Sequence, residues 1–265
     1  NQLVVEQWRG RLVALYGCSY ALSQLSGPLL LGVLGTDHDY GFWVGVGLLV
    51  VAPVLLLGRT GAPTAESFSV TFADLWRFCR SLPAIAWAVA LFAAFEAMIL
   101  TLLPVYCLQQ GFTAEVALAM VSTVVVGDAL LQLPIGALAD YLPRRTLFLA
   151  CAVLLLVSSL AIPLLMHTSL IWPVWVLFGA SAGGLFTLSL ILIGERYRDD
   201  ALVRANAHVA QLWGIGCLIG PLVAGAGSQW ISGHALPLLM AAGALGLVLL
   251  LLRQGEFGIA QPTGP

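Results

Sequence analysis

Two carboxylic acids, Glu96 and Asp128, lie in the middle of long apolar stretches of this sequence. A charged side chain inside a lipid bilayer costs about 2.5–3.5 kcal/mol on insertion scales, so such residues usually face a cavity or a partner. Two carboxylates at one depth, away from bulk water, can bind and release a proton near neutral pH. The pair therefore predicts proton transfer or pairing with a cationic solute. The alternative is structural, with each carboxylate hydrogen-bonding a neighbouring helix or, for Asp128, Gln132 one turn away.

The composition places this chain in a lipid bilayer. Hydrophobic residues make up 60% of it and charged residues 9%, and the mean hydropathy is +0.97. Soluble domains carry about 25% charged residues, so this composition excludes a soluble globular domain. A helix that spans a bilayer needs about 20 apolar residues. Eight runs of this kind occur, at approximately 12–34, 41–58, 84–108, 114–138, 146–165, 171–194, 204–228 and 235–252.

The cationic residues fall at alternate junctions between these runs. The sequence has no Lys, and its Arg residues are at 9, 11, 59, 77, 80, 144, 145, 196, 198, 204 and 253. Loops rich in Lys and Arg face the cytoplasm, so both termini and every Arg-bearing loop are predicted to be cytoplasmic. Glu96 and Asp128 then lie about ten residues from the cytoplasmic ends of antiparallel helices, roughly 15 Å deep. At that depth they can lie side by side.

A second polar face lies on the seventh run. Arg204, His208 and Gln211 are spaced four and three residues apart, so they share one side of a helix. His208 is near the cytoplasmic end, which favours an interfacial position over a gating or substrate-binding one. Trp213 is deep enough to line a site. The candidate substrate- or proton-binding residues are therefore Glu96, Asp128, Gln132, Gln211, His208 and Trp213.

The longest polar stretch, residues 58–82, precedes the third run. Its second half reads TFADLWRF, in which Thr71 and Asp74 have the spacing of a helix capping box. The aromatic residues and Arg77 predict a short helix at the membrane surface. An ordinary linker is the alternative.

An internal repeat links the first run to the seventh. The pattern is Arg, then fifteen residues, Gly-Pro-Leu, two residues and Gly. It begins at Arg11 and again at Arg204, with its Gly-Pro pairs at Gly27, Pro28, Gly220 and Pro221. Parallel repeats relate the two halves of some transporters, so matching elements are expected half a molecule apart. For the Gly-Pro pairs themselves we favour close helix packing with a kink, and the glycines at 179, 183 and 184 predict another close helix approach.

A charged hinge separates the fourth and fifth runs. Residues 136–145 read GALADYLPRR, which predicts a helix end, a tight turn and the next helix start. The pattern resembles the loop signature of the major facilitator superfamily, the large class of solute transporters with twelve membrane helices. The residues that carry the resemblance are Gly136, Asp140, Arg144 and Arg145.

Two departures indicate which copy of the signature this is. The family repeats the loop once in each half, commonly with a basic residue where this chain has Tyr141 and Gly where it has Pro143. Such a copy fits the second loop, between the eighth and ninth helices. The resemblance then implies an all-α, polytopic membrane bundle with eight transmembrane helices present, numbers five to twelve. Its divisions are the last two helices of the N-terminal half (1–58), a central cytoplasmic loop (59–83) and the C-terminal six-helix half (84–265).

The same resemblance implies a gate at the hinge. Asp140 is expected to contact the N-terminal end of a helix in the opposite half. A carboxylate is favoured there by about 0.3–1 kcal/mol, because that end of a helix dipole is positive. Arg11 is a candidate partner. Arg144 and Arg145 are expected to stay in the cytoplasm, as part of the gate or as topology anchors.

The function predicted from these features is secondary active transport of a small solute by alternating access, with Glu96 and Asp128 as candidates for proton coupling. A non-transporting sensor or an intramembrane enzyme on the same scaffold is the alternative. An enzyme is disfavoured because no nucleophile and base are grouped at one depth. The polar inventory suits a drug-like cation, a sugar or a metabolite, and the direction of transport is open.

The remaining expectations concern cofactors, partners and location. The five cysteines lack metal-ligand spacing, so no metal and no other cofactor is expected. The expected partners are a small-molecule substrate, protons and the lipid bilayer, with no nucleic acid, and the protein is expected to be a monomer. The Arg-only, Ala-, Leu- and Gly-rich composition favours a bacterial inner (plasma) membrane.

Overall fold

A computed structural model describes residues 39–56, 71–230 and 233–253, together with the single positions 23, 26, 27, 30 and 33. The regular elements of these residues are α-helices, and no β-strand occurs among them. The chain divides into two compact units, Asn1–Ser69 and Val70–Pro265. In the first unit, α1 (Tyr40–Leu56) matches the second predicted run. Most of the first predicted run lies outside the described residues.

The second unit is a bundle of apolar helices. In chain order its described helices are α2 (Phe72–Ser81), α3 (Pro83–Thr101), α4 (Leu103–Gln109), α5 (Ala114–Tyr141), α6 (Arg144–Leu165), α7 (Ile171–Arg196), α8 (Asp199–Trp230) and α9 (Ala235–Arg253). Length and composition mark five of them, α3, α6, α7, α8 and α9, as able to cross a membrane. The predicted all-α, polytopic membrane bundle is therefore confirmed.

α2 begins with a capping box. The Asp74 backbone N–H donates to Thr71 Oγ1 at 3.3 Å, and the Thr71 N–H donates to Asp74 Oδ2 at 3.2 Å. Leu75 and Phe78 are buried against the rest of the unit. A single residue, Leu82, separates α2 from α3 and bends the chain with φ −136° and ψ 60°. The predicted capping box and short helix are confirmed.

The predicted run 84–108 is two helices, because the chain breaks at Leu102 between α3 and α4. Pro104 has no N–H for the carbonyl four residues earlier, and its ring crowds that carbonyl. Proline alone does not predict such a break, since neighbouring groups in a bundle can compensate. Pro134, Pro163 and Pro221 nevertheless lie inside continuous helices. The structure therefore corrects the single helix that the run predicts.

Glycines bring α5 and α7 into backbone contact. A methyl group on Gly127 of α5 would collide with the Val176 carbonyl oxygen of α7. In return, a methyl group on Gly179 of α7 would collide with the Val124 carbonyl oxygen of α5. Small residues allow this close approach between membrane helices. The glycine-mediated approach predicted for α7 is confirmed.

α3 and α8 approach each other in the same way. A methyl group on Gly216 would meet the Ala90 carbonyl oxygen, and one on Gly220 would lie 2.7 Å from Ala94 Cβ. Pro221 lies within α8, which stays continuous. At the other copy of the repeat, a methyl group on Gly27 would meet no described atom within 4 Å. Its neighbour Pro28 lies outside the described residues.

The described arginines of the second unit gather where α3, α6 and α8 start and where α7 and α9 end, and we call this the arginine end. They are Arg77, Arg80, Arg144, Arg145, Arg196, Arg198, Arg204 and Arg253. The hinge lies at this end, with α5 ending at Tyr141 and α6 starting at Arg144. In the turn, the Leu142 N–H donates to the Leu138 carbonyl oxygen at 2.9 Å. The predicted helix end, turn and helix start are confirmed.

Candidate functional site

Glu96 lies in the second half of α3, five residues before the helix ends at Thr101, with 9% of its surface exposed. Cys217 of α8 lies 3.6 Å, by its Sγ, from the carbonyl oxygen of Ala93, three residues before Glu96, so Glu96 is on the side of α3 that packs against α8. The Thr101 hydroxyl, near the end of the same helix, donates to the Ala97 carbonyl oxygen at 2.6 Å. Glu96 is thus enclosed by helices of the second unit and not turned outward from it.

Phe92 lies one turn before Glu96, toward the arginine end, and belongs to a cluster of three aromatic rings. Phe92 of α3 and Phe186 of α7 are stacked, with ring centroids 4.7 Å apart and planes at 12°. Trp213 of α8 meets both edge-on, at 5.6 Å from Phe92 and 5.1 Å from Phe186. Aromatic pairs in such geometries contribute about 0.5–1.5 kcal/mol each beyond the burial of their surface. Trp213, a predicted site residue, therefore joins a cluster that holds α3, α7 and α8 together.

More rings continue from this cluster along α7. Phe95 of α3 meets Phe178 edge-on at 5.1 Å, and Phe178 meets Trp175 at 5.8 Å. Trp175 is fully buried, and its indole N–H has no hydrogen-bond partner among the described atoms. Buried polar groups are usually paired with protein or ordered water. Among the described residues the indole is therefore a buried donor left unpaired.

Asp128 lies in α5, directly against a glycine of α7. A methyl group on Gly183 would occupy the position of Asp128 Oδ1. One turn away, a methyl group on Gly179 would lie 3.0 Å from the Asp128 backbone nitrogen. The side chain of Asp128 is half-buried. Its carboxylate fits between α5 and α7 because position 183 has no side chain.

The two carboxylates face different helices, Glu96 toward α8 and Asp128 toward α7. α7 nevertheless links them, since Phe178 touches Phe95, the neighbour of Glu96, and is followed by Gly179. Gln132 lies one turn further along α5, and its side chain is outside the described residues. The structure thus places both predicted carboxylates inside the same unit, against different helices.

His208 and Gln211 lie at the arginine end, beneath α2. The His208 ring is 8% exposed and stacks on Phe78 of α2, with centroids 5.2 Å apart and planes at 28°. His208 Nδ1 lies 3.1 Å from Gln211 Oε1, within hydrogen-bonding distance. The structure therefore brings these two residues together with α2.

The opposite end of the unit carries its own polar contact. Tyr106 Oη of α4 lies 2.9 Å from His234 Nδ1, just before α9. At the same end the rings of Phe112 and His167 stack with centroids 5.3 Å apart. Within the described ranges, no three His, Cys, Asp or Glu side chains are grouped so that they could hold a metal ion.

The sequence of this bundle matches a known family. The family described as the Major Facilitator Superfamily matches residues 113–264, which is more than half of the chain and includes α5 to α9. This chain belongs to the major facilitator superfamily. The resemblance that the hinge carries is therefore confirmed.

Several relatives within the major facilitator superfamily align with most of this chain. An uncharacterized MFS-type transporter of Yersinia enterocolitica is 26% identical over 256 residues, covering 94% of this chain and 64% of the relative. One from Bacillus subtilis is 22% identical, covering 83% and 58%, and one from Escherichia fergusonii is 25% identical, covering 94% and 64%. The chain thus spans less than two thirds of the length of these superfamily members.

The two hinge arginines of this superfamily member bind helices of their own unit. Arg144 Nη2 lies 2.6 Å from Glu195 Oε1 near the end of α7. Arg145 Nη2 donates to the Leu251 carbonyl oxygen at 3.1 Å, near the end of α9. A cation is favourable at that end of a helix, where carbonyl groups lack partners. Both arginines therefore fasten the first turn of α6 to neighbouring helices.

The contacts of the other predicted gate residues of the superfamily signature lie outside what the structure describes. Gly136 and Asp140 lie in the last two turns of α5, but their surroundings are not among the described features. The whole of Arg11 lies outside the described residues. The contact between Asp140 and Arg11 stays a prediction.

Sequence reasoning missed three rings that contact predicted site residues. Phe92 is four residues before Glu96, so helical spacing alone puts the two on one face. Phe78 has a weaker signal, its position on the buried side of the amphipathic α2. Phe186 has none, because α7 is apolar on every side and no face is distinguished.

Proposed function

We propose that this superfamily member is a secondary active transporter that moves a small solute across a bacterial inner membrane by alternating access, coupled to protons. The observation that carries the proposal is Glu96, a buried ionisable residue within a helix long and apolar enough to cross a membrane. Such residues are costly in a membrane and are typical of substrate and proton pathways.

Glu96 is proposed to bind a proton or the cationic group of the solute. Phe92 lies one turn away on the same helix, and the rings of Phe186 and Trp213 contact it. Together these rings offer apolar and π surfaces. A cation within about 6 Å of a ring is attracted to its face, which supplements the attraction of a carboxylate. Phe186 and Trp213 are only half-buried, so part of this surface is open to a ligand.

Asp128 is proposed as the second proton-binding group. Its carboxylate is packed against Gly183, so a change in its charge acts directly on the contact between α5 and α7. Glu96 reaches the same helix through Phe95 and Phe178. Protonation of one carboxylate can therefore influence the helix that touches both sites.

The gate is proposed at the arginine end, which the positive-inside rule assigns to the cytoplasm. There Asp140 is proposed to pair with Arg11 of the other unit, and breaking that pair would open the cytoplasmic side. Arg144 and Arg145 support the gate by holding the start of α6 on α7 and α9.

The test is uptake of a panel of radiolabelled cations, sugars and metabolites into proteoliposomes with and without a pH gradient. We expect Glu96→Gln to abolish gradient-driven uptake and Asp128→Asn to shift its pH profile, because neither amide can exchange a proton. Glu115→Gln is the matched control, since Glu115 is an exposed carboxylate in the first turn of α5.

Each outcome distinguishes a different part of the proposal. Uptake that ignores the pH gradient in the unmodified protein would remove proton coupling and leave transport. Unchanged pH profiles in both the Glu96→Gln and Asp128→Asn variants would remove these residues from the coupling. Infrared spectra of the carboxylic-acid band, recorded during a pH titration, report on Glu96 even before a solute is known.

A further inference from the structure

The short helix α2 presents three distinct sectors around its axis. Successive residues of a helix turn by about 100°, so positions three or four apart share a side. Leu75 and Phe78, each 6% exposed, form the sector that faces the bundle. The other two sectors are outward: an aromatic one, with Phe72 at 78% and Trp76 at 59% exposure, and a basic one, with Arg77 and Arg80. Two large aromatic side chains on a charged helix are unusual for a surface that faces only water.

The position of α2 is fixed at the boundary of the bundle. It ends one residue before α3, the first helix of the second unit long enough to cross a membrane. Phe78 stacks on the buried His208, in the third turn of α8, so α2 also packs against α8. α2 is therefore held at the level where spanning helices begin, beside the other arginines of the arginine end.

The chemistry of the outward sectors matches a charged lipid surface. Aromatic rings are enriched where membrane and water meet, and amphipathic helices bury such rings at the boundary between headgroups and acyl chains. Arginines beside them are attracted to anionic headgroups. Arg77 is 78% exposed and also lies 3.2 Å from Asp74, which keeps its guanidinium on the outer side of the helix. A free anion would suit the arginines but leave the rings without a partner.

We propose that α2 binds the surface of a bilayer that contains anionic phospholipid. Phe72 and Trp76 insert at the level of the headgroups, and Arg77 and Arg80 contact lipid phosphates. Phe78 of the same helix stacks on His208 of α8. Lipid binding by α2 therefore restrains α8 at His208 as well. This inference does not depend on the solute or on proton coupling.

The experiment places the protein in nanodiscs with brominated lipids, which quench tryptophan emission on contact. The emission of Trp76, one of eight tryptophans, is isolated as the difference between the protein and its Trp76→Phe variant. Brominated phosphatidylglycerol and brominated phosphatidylcholine are compared at equal fraction. We expect quenching of Trp76 to be about twofold greater with the anionic lipid, since local basic residues enrich it.

Two sets of variants make the result specific. Arg77→Gln with Arg80→Gln is expected to reduce the ratio of the two quenching efficiencies to about one, because the basic sector is lost. Arg196→Gln with Arg198→Gln is the matched control, which removes equal charge at the same end but outside α2 and should preserve the ratio. Equal quenching by both lipids in the unmodified protein would overturn the proposal. Quenching by neither lipid would also overturn it and indicate a protein partner or water at this sector.

Discussion

The middle of the second unit and its arginine end are held together by different forces. In the middle, glycines such as Gly179 let backbones touch and aromatic rings interlock. At the arginine end, neighbouring helices are joined by the pair Arg144–Glu195 and by Arg145 on a carbonyl oxygen, and the start of α2 is held by its own capping box. Packing depends on shape, whereas exposed charge pairs weaken with salt. The interior can thus hold a site in fixed geometry while the end can rearrange at small cost.

The largest effect is expected from a methyl group added where two backbones touch. Gly179→Ala would place that group on the Val124 carbonyl oxygen, so α5 and α7 must separate. Overpacking of this kind costs about 1–3 kcal/mol and occasionally more. We expect a clearly lower melting temperature in detergent micelles, measured by circular dichroism.

Gly194→Ala is the matched control on the same helix. A methyl group at Gly194 would meet nothing within 4 Å. Alanine is favoured over glycine inside a helix by up to about 1 kcal/mol, so this variant should melt at the same or a higher temperature. Equal destabilisation by the two substitutions would show that shape does not govern the middle of the unit.

A smaller effect is expected where the methyl group meets a movable side chain. Gly183→Ala would collide with Asp128 Oδ1, and the carboxylate can swing away at some cost. Removing the carboxylate first, by Asp128→Ala, should make the glycine substitution nearly neutral. A double-mutant cycle on thermal stability should give a coupling of about 0.5–3 kcal/mol. Additive effects would mean that Gly183 does not make room for Asp128.

The helices of this fold were largely predictable because a membrane demands long apolar runs. The hinge after Tyr141 and the capping box at Thr71 were predictable for a local reason, since both depend on side chains a few residues apart. The break at Leu102 was not, because Pro104 interrupts the helix there while Pro134 does not interrupt α5. The difference depends on whether neighbouring helices compensate the lost hydrogen bond.

The candidate site was predictable only in part. An acidic residue within an apolar run is conspicuous in a sequence, so Glu96 and Asp128 could be named as candidates without a structure. The sequence does not predict which neighbouring helix each carboxylate faces, because a helix that is apolar on all sides has no distinguishable buried face. For the same reason the sequence does not indicate that Phe186 belongs to the aromatic cluster. Phe92 could have been identified, because it is four residues before Glu96 and so shares its helix face.

A weaker and salt-dependent effect is expected at the arginine end. The side chains of Arg144 and Glu195 are 29% and 41% exposed, so water screens their attraction. A cycle with Arg144→Gln and Glu195→Gln should give a coupling of about 0.2–1 kcal/mol. We expect it to fall as salt is raised, while the cost of Gly179→Ala stays constant. If salt does not change the coupling between Arg144 and Glu195, the arginine end does not differ from the middle of the unit in its sensitivity to salt.

The smallest effect is expected from the capping box, through pH. The pKa of Asp74 lies below its usual range, first because the Thr71 hydroxyl and then because the Thr71 N–H donate to its carboxylate, with Arg77 and His208 adding to the shift. A group whose pKa is lowered by folding stabilises the folded form above its unfolded pKa. That contribution is lost as the pH falls through the lowered, folded pKa. The start of α2 should therefore loosen only in acid, at a pH below the ordinary range of an aspartate.

The emission of Trp76, again taken as the difference from Trp76→Phe, can follow this transition during acid titration. Thr71→Ala removes the hydroxyl donor, so the midpoint should rise toward the ordinary aspartate value. Ser81→Ala is the control, because the Ser81 hydroxyl donates to the Phe78 carbonyl oxygen at the other end of α2, at 2.9 Å. A midpoint that Thr71→Ala leaves in place would mean that the cap does not set the charge of Asp74.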